Sequence, residues 1–139
     1  LKRVIALCIF FLAFFVSHPL FGEELKWESS LEGAFQESVK TQKPLMVMVE
    51  SESCRWCKKM KEQTLSDEQI GESLQKFIIV LVDREKVSSE FIPYAQYVPT
   101  IYFMTPDKKI IDRVVGYFDV SDFKSWLEDV DVKLGKKIR

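Results

Sequence analysis

Two continuous apolar runs set the frame of this chain. Residues 45–49 read LMVMV and residues 77–82 read FIIVLV. Neither alternates apolar with polar, so each reads as a strand buried on both faces, as in a sheet covered by helices. The segments around them have the helical period. Ser30 can cap a helix that turns Leu31, Ala34, Phe35 and Val39 inward, and Lys43-Pro44 ends it. Residues 54–63 (CRWCKKMKEQ) are helix-prone, with Cys57 and Met60 on the inner face. Ser66 to Gln69 fits a capping box for a helix with Ile70 and Leu74 inward.

Beyond the second run, residues 88–97 suggest a helix or helical loop. Pro99 leads into a strand over 100–104, and Thr105-Pro106-Asp107-Lys108 supplies a turn. A strand over 110–115 ends at Gly116. Ser121 can cap a last helix carrying Phe123, Trp126, Leu127 and Val130 inward, and the basic tail after Val132 should fray. The order α-β-α-α-β-α-β-β-α predicts an α/β domain: a central mixed β-sheet with helices on both faces. A length of 139 residues suits one such domain.

The first 22 residues stand apart. Lys2 and Arg3 precede an unbroken apolar run over 4–16, which Ser17, His18 and Pro19 interrupt before Gly22. This is the layout of a secretory signal peptide, with residues 23–139 as the domain. An uncleaved N-terminal membrane anchor is the alternative, although the run is short of the ~20 residues a span needs. A buried core helix suits it less, because the run has no polar face. The segment carries Cys8 and the single histidine, His18. The remaining domain has Cys54 and Cys57 and no histidine. That composition excludes a Ser-His-Asp triad and leaves a four-ligand zinc site short of ligands within one chain. A formal net charge of −1 argues against a nucleic-acid partner held by bulk electrostatics.

Cys54-Arg55-Trp56-Cys57 follows an apolar strand by a few residues and opens a helix. Unpaired N–H groups at a helix start favour a thiolate over a thiol. Cys54 would be the exposed, attacking sulfur. Cys57, nearly one turn later, could close a disulfide and release a mixed-disulfide partner. Arg55, Lys58 and Lys59 favour the thiolate, while Glu50 and Glu52 oppose it. A zinc knuckle shared with a second chain and an inert structural disulfide are the competing readings. The second is weak, since so short a loop constrains the unfolded chain little.

Over residues 29–130 the chain resembles the thioredoxin superfamily. LMVMV, CRWC at a helix start, YVPTIYFM and VVGYFDVSDFKSWL follow that family's order. The stretch CRWCKKMKEQTLSDEQI is similar to exported members and to the C-terminal domain of the bacterial transmembrane thiol-reductant conductor, of the disulfide interchange family. The resemblance implies the thioredoxin fold, with catalytic Cys54 and Cys57. It also implies a cis-proline at Pro99 facing them and a Val98 backbone edge for an extended substrate. Trp56 would either contact substrate or pack beside the motif. The family's buried aspartate falls at Met48, and Glu50 is the nearest acid that could substitute.

The resemblance therefore implies an exported, periplasmic thiol-disulfide oxidoreductase that reduces protein disulfides. It would be monomeric, need no metal or cofactor, and take electrons from a membrane thiol-reductant donor. A dedicated cytochrome c maturation reductase and a thioredoxin-fold binding module are the alternatives.

Overall fold

The computed structural model describes residues 24–137. The expected signal segment, residues 1–22, lies outside the described residues. Ten segments follow in order: β1 (Trp27–Glu28), α1 (Leu31–Thr41), β2 (Leu45–Glu50), α2 (Arg55–Lys59), a π-turn (Met60–Thr64), α3 (Glu68–Leu74), β3 (Ile78–Asp83), β4 (Thr100–Met104), β5 (Ile110–Val115) and α4 (Val120–Lys137). The strands form one mixed sheet in the order β1-β3-β2-β4-β5. β3 runs parallel to β1 and β2, while β4 runs antiparallel to β2 and β5.

The apolar run in β2 is continuous because both faces are covered. Met46 and Met48 join Cys57, Met60, Phe103 and Phe123 in one core. Leu45, Val47 and Val49 join Ala34, Phe35, Tyr102 and Met104 in the other. All five run residues are fully buried, and each such side chain is worth about 1.5–3 kcal/mol relative to exposure. Residues α2, α3 and α4 supply the first core, so the cysteine pair is seated on the sheet's more heavily covered face.

Several expectations shift. Ser30 caps α1 as read, accepting from the Gly33 N–H at 3.0 Å. Its last inward residue is Ser38, not Val39: Val39 is exposed, and the buried Ser38 hydroxyl donates to the Lys43 carbonyl. The cap of α3 is Asp67 rather than Ser66. Ser66 donates its hydroxyl to the Glu62 carbonyl, and Asp67 Oδ1 accepts from the Gln69 and Ile70 N–H groups. Likewise Asp119, not Ser121, opens α4, accepting from the Asp122 N–H at 2.9 Å. Leu134 packs on the core, and α4 continues to Lys137 where fraying was expected.

Residues 88–97 form turns, not a helix. Pro93 interrupts the segment, and a residue before proline is pushed away from helical backbone. The segment still covers the α1 face, because Ile92 and Ala95 are buried there. Arg84 donates to the Gln96 carbonyl at 3.3 Å and Tyr102 donates to that of Pro93 at 3.3 Å. The turn at Thr105 is as read; hydrogen bonds from the Lys109 ammonium and the Thr105 hydroxyl lower the pKa of the Asp107 carboxyl to about 2. Among the described residues no helix is long and apolar enough to cross a membrane.

Candidate active site

β2 ends at Glu50, and a short turn delivers Cys54 to the N-cap of α2. The Cys57 N–H points back at Cys54 Sγ, 3.1 Å away. One of the helix's orphan donors is therefore aimed at the sulfur that would carry negative charge. Cys54 and Cys57 are joined in a disulfide, with an S–S distance of 2.06 Å and Cα atoms 5.2 Å apart. Their surroundings differ. Cys54 is half-buried at the helix start, whereas Cys57 is 1% exposed and belongs to the core with Met48 and Met60.

The family acid's place is held by Met48, fully buried and paired across the sheet with Ile101. Glu50 sits at the end of β2 in an ion pair with Lys61, Nζ to Oε2 at 2.6 Å. It is thus neither a freely solvated strand end nor shown in contact with either sulfur.

The Val98–Pro99 bond is cis, as expected. Trp56, Val98 and Pro99, three residues singled out from the sequence, line one open cleft of about 330 Å³. Gly116 and Tyr117 complete it. Gly116 has φ +98°, a conformation that favours glycine, and its N–H donates to the Pro99 carbonyl at 2.8 Å. This bond ties the end of β5 to the proline that opens β4.

Tyr117 was not among the expected site residues. Its ring centroid lies 5.7 Å from that of Trp56, tilted by 34°. The π-turn places it there. In this turn the Leu65 N–H reaches back five residues to the Met60 carbonyl. Thr64 then donates to the Phe118 carbonyl at 2.6 Å, and the Tyr117 hydroxyl donates to Gln63 at 3.3 Å. Lys59 was also missed except as a nearby charge. Its ammonium lies 4.4 Å from the Tyr117 ring centre and 5.2 Å from that of Trp56. The Arg55 guanidinium stands 5.0 Å from the Trp56 ring centre. The spacing of Trp56 and Lys59, three apart on one helix, was the signal available for the first contact.

With this geometry in hand, similarity to known proteins is informative. A family model described as a thioredoxin-like domain matches residues 31–131. Anterior gradient protein 3 of Mus musculus is 30% identical over 98 residues, covering 70% of this chain and 59% of that protein. The chain thus spans less than two thirds of the length of that curated relative. A thioredoxin from Thermus thermophilus superposes with a TM-score of 0.72 at 23% identity, over 83% of this chain and 93% of that one. The C-terminal domain of DsbD from Neisseria meningitidis, in its reduced form, superposes with a TM-score of 0.57 at 19% identity, over 71% and 92%.

Proposed function

The chain belongs to the thioredoxin-like family; from that premise we propose that it is an exported thiol-disulfide oxidoreductase that reduces protein disulfides. The observation that carries the reading is the unequal setting of a bonded cysteine pair, one sulfur at a helix start and the other in the core. Reduction would run in two exchanges. The Cys54 thiolate attacks one sulfur of a substrate disulfide, forming a mixed disulfide and expelling the other substrate sulfur as a thiolate. Cys57, deprotonated, attacks Cys54 Sγ, which forms the intramolecular disulfide and releases the second substrate thiolate. The substrate gains two electrons and, from solvent, two protons. The pair loses the two electrons, and a dithiol donor must restore them.

The cleft beside Trp56 would hold the substrate chain, with the Val98 backbone as the edge it pairs with. The residues 23–139 are taken as the exported domain, acting as a monomer in the periplasm and recharged by a membrane thiol-reductant donor. The missing histidine between the cysteines favours reduction over oxidation, since no imidazolium there stabilises the reduced thiolate.

The test is turnover. The purified domain with dithiothreitol should precipitate insulin B chain well above the dithiothreitol background; a binding module would leave the background unchanged. Export has its own measurement. Mass spectrometry of the protein from a periplasmic fraction should find it beginning near residue 23. Intact protein in the cytoplasm would defeat export, and intact protein in the inner membrane would replace cleavage by anchoring.

A further inference from the structure

We propose that Arg55 and Lys59 select substrates, favouring disulfides flanked by acidic residues. This rests on the reductase reading and adds to it a substrate class. The cations of α2 and of the π-turn after it divide into two kinds. Lys58 faces Glu62 at 3.8 Å, and Lys61 holds Glu50 at 2.6 Å. Among the described residues Arg55 and Lys59 form no ion pair with a carboxylate; Arg55 lies over the face of Trp56, and Lys59 over those of Trp56 and Tyr117.

Those two rings line the cleft. The Lys59 ammonium is therefore held against two of the rings that line the cleft. Ring faces attract a cation but leave its remaining donors unmatched. A carboxylate carried on a substrate flanking these rings meets two positive groups already in position, so little side-chain freedom is lost in pairing with them. A lysine arriving there meets repulsion. Glu52, in the turn before Cys54, is the opposing charge nearby in sequence, and it is a single charge against two. The apolar part of the cleft, Val98 and Pro99, accepts the backbone and gives no preference between acidic and basic substrates.

The experiment uses two synthetic disulfide-cyclised peptides, identical except for aspartates or lysines flanking the cysteines. With the wild-type protein and dithiothreitol at low salt, kcat/KM for the acidic peptide should exceed that for the basic one by about tenfold, the scale of two exposed ion pairs. The preference should shrink as salt is raised. Arg55→Gln and Lys59→Gln should each cut the ratio by about threefold, and Lys59→Arg should restore it. If Lys59 merely braces Trp56, its loss would slow both peptides alike and leave the ratio unchanged, which overturns the proposal. So does a wild-type ratio near one. If neither peptide is reduced, the reductase reading fails by itself. Calorimetric binding of the same peptides closed by a thioether then still decides: equal affinities overturn the charge preference, and tighter binding of the acidic one supports it.

Discussion

Cys57→Ser protein is expected to seize substrates and fail to release them. The variant keeps Cys54 at the N-cap of α2, with the residue-57 N–H still aimed at its sulfur. Attack on a substrate disulfide can therefore proceed, but the mixed disulfide has no internal thiol to resolve it. Expressed in cells, the variant should run on non-reducing gels as a ladder of covalent complexes that collapses with dithiothreitol. Cys54→Ser should form almost none. Both variants should lose insulin reduction by at least about a hundredfold, because residues that act as a unit fail together. The asymmetry follows from burial. Cys57 is 1% exposed and desolvation favours its neutral thiol. Alkylation of the reduced wild type near neutral pH should accordingly label Cys54 first. Faster labelling of Cys57, or reductase activity surviving in both serine variants, would overturn these roles.

The site was legible as far as it depends on neighbours in sequence. A strand, a cysteine pair and a helix start lie within twenty residues, and the thiolate argument needs only that local order. Val98 and Pro99 were placed by resemblance, and the cleft they share with Trp56 is where the chain brings them. Tyr117 was not legible. Its position opposite Trp56 depends on a π-turn, in which one extra residue rotates Gln63 and Thr64 toward the segment after β5. No periodicity announces such a turn, since it interrupts a helical pattern without changing the residue types that form it.

Strands β2 and β4 were read to within a residue because burial on both faces leaves a nearly unbroken apolar run. Strand β1 escaped notice: two residues, Trp27 and Glu28, pair with Ile79 and Val80 at the sheet edge and make no pattern of their own. The misplaced caps share one cause. Ser66-Asp67 and Asp119 with Ser121 each offer two capping residues, and geometry decides between them. After the π-turn, Ser66 is still close enough to bond back to Glu62, so Asp67 is left to open α3. Residues 88–97 suggest a helix or helical loop, but Ile92 and Ala95 are buried by turns around Pro93 instead. Coverage of the sheet was foreseeable, and the backbone that supplies it was not.

Phe103→Ala should be among the most damaging single changes outside the cysteines, costing about 3–5 kcal/mol. Phe103 is fully buried on β4, paired with Met46 on one side and Asp112 on the other. Its ring sits 5.5 Å from Phe77 and 6.4 Å from Phe123, so it joins the approach to β3, the sheet and α4. The strands on both flanks are fixed by ladder bonds, and the void left by the ring cannot close by moving them. A domain of this size is held by about 5–15 kcal/mol in all, so the loss takes a large share of the total. Urea unfolding of the oxidised protein should show a lower midpoint with an unchanged slope. Phe103→Leu, which refills most of the void, should recover more than half of the loss. The same core seats Cys57 and Met60. The alanine variant should therefore also admit alkylating reagent to Cys57 after reduction, at urea concentrations below its midpoint. A loss under about 1 kcal/mol would mean that β4 and α4 do not meet through this ring, and Cys57 labelling unaltered below the midpoint would separate the seat of the cysteine pair from the core beneath it.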